Sequence, residues 1–343
     1  MTHLPLEGAP RTASFRPDAE YLYPASAIKV FASVGFLLWL QEQRVRVPSL
    51  GLDAEIFSCE EAQCAPIEET SDRDRSTLTI GHVIRKMHLV SNNQAFNMLF
   101  DLVGHRELHE RFWGLGYKSL RVHHRMYGKG DALAQRTTPR LRIRTRDGVF
   151  IEIPERRSDL VVPPTPATQL LVGRAHRKGG RRLVDEPMNF AQKNFVSMHD
   201  LHRLIVEIHG FGGGEKANLS LEEDLRDFLL DAMTTPAHES KNPSYPNYQD
   251  SVRRLKPTCS GLQAEGEVST LKCANKAGNA YGFLIDNSLI KNTATGDAVA
   301  ITVGIYVNPN EVINDNEYAY DEQGRPFMAA LGSQLRRRFF APL

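Results

Sequence analysis

The stretch Tyr21–Leu40, YLYPASAIKVFASVGFLLWL, begins on turn residues and runs into an almost wholly apolar helix. Two polar side chains, Ser26 and Lys29, stand three residues apart at its head. Positions i and i+3 of a helix share a face, so the hydroxyl and the amine can come within hydrogen-bond reach. An ammonium surrounded by apolar side chains loses proton affinity, and a neutral amine beside a serine can activate it as a nucleophile. The helix N-terminus adds free N–H groups and a positive dipole. These are the parts of an acyl-transfer centre. A chain of this length nevertheless contains roughly one S-x-x-K by chance, and a capping serine with a surface lysine reads the same way.

Two further stretches change the weighing. VSNNQAFN places Ser91, Asn92 and Asn93 where one helix ends and another begins, so a second hydroxyl could relay a proton and the Asn93 amide could hold a substrate carbonyl. By itself Ser91 is an ordinary N-cap. NKAGNAYG then sets Lys276, Ala277 and Gly278 at the end of a predicted strand. Gly278 would let a substrate backbone lie along the strand edge, and Lys276 would attract an anionic substrate. Taken alone, this is a plain strand and turn.

In order, S-x-x-K opening a helix, S-x-N in a helical region and K-x-G on a late strand form the set found in class A β-lactamases and penicillin-binding proteins. The chain resembles these penicillin-recognising serine hydrolases over nearly its whole length, and most closely their class A β-lactamase-like branch. The resemblance implies an acyl-enzyme on Ser26, with Lys29 as base or proton shuttle and Ser91 passing a proton to the leaving group. Asn93 would bind the substrate's amide side chain, and Lys276 would support Ser91 and attract a carboxylate. The backbone N–H groups of Ser26 and Asn279 would form the oxyanion hole. No cofactor or metal is implied, and the partner is a small-molecule or peptide acyl substrate.

Three departures bear on activity. Ala277 stands where the family has Thr or Ser, which removes a hydrogen bond to the substrate carboxylate that contributes about 1.5–3 kcal/mol. The family's deacylating Glu precedes an Asn by four residues. In DEPMN, Glu186 lies three before Asn189, while Asp185 has the spacing and a shorter side chain. Glu186 is carried as the candidate deacylation base; a surface carboxylate at a helix entry is its plainer reading. Finally, the 25 residues before Ser26 leave room for about one of the family's two leading strands. An edge strand and an export segment are therefore expected to precede this chain, and the extracytoplasmic location follows from the resemblance alone.

Composition is compatible with this and excludes little else. With 42 Lys+Arg against 41 Asp+Glu the net charge is +1, so nothing draws the chain toward nucleic acid or anionic membrane. The basic runs RKGGRR and LRRRF read as solvated surface, and His123-His124 as a polar surface pair. The apolar run Val30–Leu40 is too short to span a bilayer, so a soluble monomer is expected. Four cysteines fall into local pairs, Cys59/Cys64 and Cys259/Cys273, which suit short disulfides and free buried thiols equally well. Histidines are scattered without zinc-ligand spacing.

The expected fold is α/β, a three-layer α/β/α sandwich with an antiparallel sheet and an inserted helical lobe. The α/β lobe takes residues 1–45 and 265–343, and the mainly helical lobe takes 46–264, with a β-hairpin around 139–154. That hairpin is marked by alternating apolar residues about Asp147-Gly148. Helices are expected at Thr79–Val90, Asn93–Leu102 and Arg106–Leu115. Two more, Ser197–His209 and Ser220–Met233, should be capped by their first serines. Three late strands and a closing helix with Phe327, Leu331 and Leu335 on one face complete the pattern. On these grounds the function is β-lactam or cyclic-amide hydrolysis. A carboxylesterase or D-Ala-type peptidase, and a slowly acylating sensor, are the alternatives.

Overall fold

The computed structural model describes residues 1–61, 63–69, 77–127, 131–179, 181–210, 219–263 and 270–340. The expected lobe boundary at 264/265 and Gly180 of the basic run lie outside them. Strands Leu271–Ala280, Phe283–Asn292 and Ala298–Tyr306 follow one another through short connections and pair antiparallel, as tight turns require. Thr2–Leu4 and Arg11–Thr12 extend this sheet to five strands, with Leu271–Ala280 at one edge. Two leading strands therefore fit before Ser26, where length alone suggested one. They do so by being three and two residues long.

Helices cover both faces of the sheet. On one side Pro257–Gln263 and Arg325–Phe339 pack on Cys273, Ile290, Val299 and Ile301. On the other, the Lys29–Arg44 helix joins Ala274, Ile285, Leu289 and Ala300 to the main core. This is the α/β/α sandwich. Eleven of the sixteen residues of the Lys29–Arg44 helix are buried, as a helix apolar on all sides must be. Each large side chain it buries, Phe31 and Phe36 among them, contributes about 1.5–3 kcal/mol. In the closing helix Leu331 and Leu335 face the core as expected, joined by Met328 and Gly332, while Phe327 turns outward at 46% exposure.

Helices Ile80–Leu89, Asn93–Val103, His105–Gly114, Met198–Ile208 and Glu223–Thr234 lie where their periodicity placed them. Thr79 and Ser197 cap theirs by accepting from the N–H three residues on. Ser220 does not: its helix starts at Glu223, and the Ser220 carbonyl instead accepts from Gln41 Nε2. The hairpin Leu141–Arg144/Phe150–Ile153 turns through Gly148 at φ +89°. It joins a four-stranded sheet with Glu55–Glu60 and Gln63–Pro66, in a region expected to be helical. Its arginines are paired with glutamates across the sheet: Arg144 reaches Glu55, and Arg142 reaches Glu152. Further short strands occupy Leu171–Asn189. His123 and His124 are half-buried, not a surface pair, because the chain folds back over them at Asn194.

Both cysteine pairs are disulfides. Cys59–Cys64 closes the hairpin in which the two residues face each other, and Cys259–Cys273 ties the Pro257–Gln263 helix to the edge strand. The 14-residue separation of the second should contribute about 3 kcal/mol by restricting the unfolded chain. A Cys259→Ser/Cys273→Ser double variant is therefore expected to unfold at a clearly lower urea concentration. The Cys59→Ser/Cys64→Ser variant, which opens a much smaller loop, should show a smaller shift in the same titration.

Candidate active site

Ser26 does not open an α-helix. It sits in a 3₁₀ turn, Ala25–Ile28, and the α-helix begins at Lys29. In this tighter winding side chains three apart eclipse, which keeps Ser26 and Lys29 on one line. Ala25, just before the serine, holds φ +46°, a strained conformation for a residue with a Cβ. Its surroundings enforce it. Tyr23 packs at 5.6 Å from Phe190 and 5.4 Å from Tyr281, within an aromatic cluster that braces the turn.

Lys29 is fully buried. Its Nζ donates to Ser91 O at 2.5 Å and Asn93 Oδ1 at 2.6 Å, and lies 3.4 Å from Ser91 Oγ. From the edge strand, Lys276 Nζ donates to Ser91 Oγ at 2.9 Å and to Ala277 O at 2.7 Å. Two amines thus flank one hydroxyl, and Ser91 itself holds φ +54° to present it. Burial pushes Lys29 down to about 6, with the positive charge of Lys276 adding to the effect. Burial also lowers Lys276 to about 7, partly offset by Asp286.

Gly278 has a packing task in addition to the expected one of admitting a substrate backbone. A Cβ there would lie 2.4 Å from Pro24 O, 2.5 Å from Ala27 N and 2.6 Å from Ser26 N. The strand therefore lies backbone-to-backbone against the Ala25–Ile28 turn, which only glycine permits. Asn279 follows directly, so its amide and that of Ser26 lie at the same junction.

A sequence profile of the beta-lactamase enzyme family matches residues 12–339. The chain belongs to that family. It is a serine β-lactamase-like hydrolase. None of the curated proteins compared with it matches significantly. Among solved structures it resembles a beta-lactamase from Sphaerobacter thermophilus at 15% identity and TM-score 0.51, over 99% of this chain and 91% of that one. It also resembles a mutant of PBP-A solved as an acyl-enzyme complex with penicillin G, at 17% identity and TM-score 0.51, over 98% and 88%. TLA-3 extended-spectrum beta-lactamase matches at 14% identity and TM-score 0.51, over 97% and 90%. At these identities the likeness is one of fold.

Of the residues read from the motifs, the hydrolase brings Ser26, Lys29, Ser91, Asn93, Lys276, Gly278 and Asn279 to one place. Glu186 and Asp185 are on the exposed turn between short strands; Glu186 touches His176 only through its backbone carbonyl, and Asp185 lies 3.9 Å from Arg174. Phe190, four residues on, is what returns that segment to the site, beside Tyr23. Sequence reasoning passed over His88, Lys256 and Asp286. His88 shares a 2.9 Å hydrogen bond with Ser33, one helical turn after Lys29, and burial beside three lysines keeps it neutral. Its position three residues before Ser91 was the available signal. No group of three or more potential metal ligands is gathered among the described residues, and none of their helices is long and apolar enough to cross a membrane.

Two expectations follow from this geometry. Gly278→Ala must displace backbone, not a mobile side chain, so it should cost several kcal/mol of stability by chemical denaturation, within the usual range for overpacking and strain. Lys29 titrates near 6 when folded and near 10.5 when unfolded, so the unfolded chain binds more protons between those values. Measured against Lys29→Met, the wild type should therefore be at its relative weakest below pH 6. It should gain as pH rises toward 10, which thermal melts across that range will show.

Proposed function

We propose that the hydrolase opens cyclic amides of the β-lactam type through an acyl-enzyme on Ser26. The observation that carries this is the position of the Ser91 hydroxyl between Lys29 and Lys276. Neutral Lys29 takes the proton from Ser26 Oγ as that oxygen attacks the acyl carbon. The charge that develops on the carbonyl oxygen is held by the backbone N–H groups of Ser26 and Asn279. A proton then passes through Ser91 Oγ to the leaving nitrogen, the ring C–N bond breaks, and Ser26 carries the acyl group as an ester. Asn93, already anchored to Lys29 through its Oδ1, keeps its amide N–H₂ for the substrate's own amide side chain. Lys276 supplies positive charge for a carboxylate, a contact weakened because buried Ala277 offers no hydroxyl. The enzyme works as a monomer in an extracytoplasmic, oxidising compartment, a reading its two disulfides support.

A specific observation favours a second reading. Glu186, the candidate base for activating the deacylating water, is exposed on its turn. Left there, it would let the ester persist, the behaviour of a penicillin-binding protein, a D-Ala-type peptidase or a slowly acylating sensor. A carboxylesterase would use the same Ser26/Lys29/Ser91 group on another acyl donor.

Turnover of a chromogenic cephalosporin, followed beside intact mass after incubation with penicillin, separates these. The expected result is turnover that falls on the order of 10³-fold or more in Ser26→Ala, together with loss of any adduct. A stable adduct on Ser26 without turnover selects the second reading. The absence of both turnover and adduct overturns the β-lactam assignment, and ester hydrolysis in that case points to the esterase.

A further inference from the structure

We propose that Lys256 and Asp286, buried behind the edge strand, set the charge state of Lys276 and so govern proton movement through Ser91. They act through Lys276, which makes them positioning residues, and the catalytic part of the inference rests on the acyl-transfer reading above.

Both charges sit in the interior, with Lys256 at 7% exposure and Asp286 at 0%. Neither is paired directly with the other; Asn275 stands between them. Lys256 Nζ donates to Met233 O and, at 3.0 Å, to Asn275 Oδ1. The Asn275 amide nitrogen donates to Asp286 Oδ1 at 2.7 Å and to Leu255 O at 3.0 Å. The second carboxylate oxygen accepts from Thr258 N at 3.0 Å. The Asn275 side chain thus meets Lys256 with its oxygen and Asp286 with its nitrogen.

Asn275 immediately precedes Lys276, and successive side chains of a strand leave on opposite faces. Lys276 therefore points to Ser91 while its neighbour carries the charged network across the strand. Asp286 lies on the adjacent strand, in register with Ala277. The charged and titratable groups coupled to Lys276 are Lys29 of the Lys29–Arg44 helix, His88 of the Ile80–Leu89 helix, Lys256 and Asp286. Of these, Asp286 favours its protonated form and Lys256 opposes it. Low-dielectric surroundings make such interactions much stronger than they are in water. Burial lowers the amine most, and with Asp286 raising it and Lys256 lowering it the group titrates at about 7, able both to donate to Ser91 Oγ and to give its proton up.

The test follows Lys276 itself by the ¹³C shift of its ε carbon, in protein labelled at lysine and assigned with Lys276→Arg. Wild type should titrate near pH 7. Lys256→Met should move that midpoint upward, Asp286→Asn should move it downward, and Lys256→Arg should leave it near the wild-type value. Shifts in the same direction for the first two variants, or no shift with circular dichroism unchanged, would overturn the proposal. If Lys256→Met does not fold, Lys256→Gln provides the same loss of charge. Penicillin acylation of each variant is measured separately. A wild type that titrates as expected but is never acylated would refute the catalytic reading and leave the charge coupling intact.

Discussion

An amine buried in an apolar interior has to be met by acceptors, and Lys29 finds them 62 to 64 residues away, on Ser91 and Asn93. Much of the rest of the structure serves that requirement. The helix that carries Lys29 is buried nearly all round, so its polar head can be satisfied only where another backbone turns toward it. The left-handed turn at Ser91 provides this, exposing a carbonyl and a hydroxyl at once. The same burial that makes the contact obligatory lowers the proton affinity of the amine. Structural need and chemical capacity therefore have one origin.

The second constraint is distance between backbones. Gly278 lets the edge strand touch the 3₁₀ turn, and this brings Lys276, its neighbour two residues back, to the Ser91 hydroxyl. The strand is held from behind by the Cys259–Cys273 bond and by the Lys256–Asn275–Asp286 contacts. On the other side Tyr21, Tyr23, Phe190 and Phe283 hold the turn. A site built from a strained turn and a strained loop needs such bracing, since each unusual backbone conformation costs on the order of 1–3 kcal/mol.

Long periodic segments were legible in the chain because burial of one face imposes its own spacing. The helices at Ile80, Asn93, His105 and Met198, the three late strands and the Asp147-Gly148 hairpin all appeared where that spacing placed them. Short elements did not. Thr2–Leu4, Arg11–Thr12 and the strands within Leu171–Asn189 are two to four residues long, too few to show a period. Ser220 shows the limit of local capping patterns: its sequence fits a cap, but Gln41 engages its carbonyl from another helix.

By itself the sequence determined the layered α/β architecture and the residue types at the site, because three short motifs in fixed order specify which side chains must meet. Only the tertiary structure decided what those residues became. It placed Ser26 in a 3₁₀ turn, joined the cysteines, made Gly278 a point of backbone contact and left Glu186 on an exposed turn. It also set three buried lysines and a neutral histidine around one strand. Burial and electrostatic coupling depend on neighbours remote in sequence, and no local spacing encodes them.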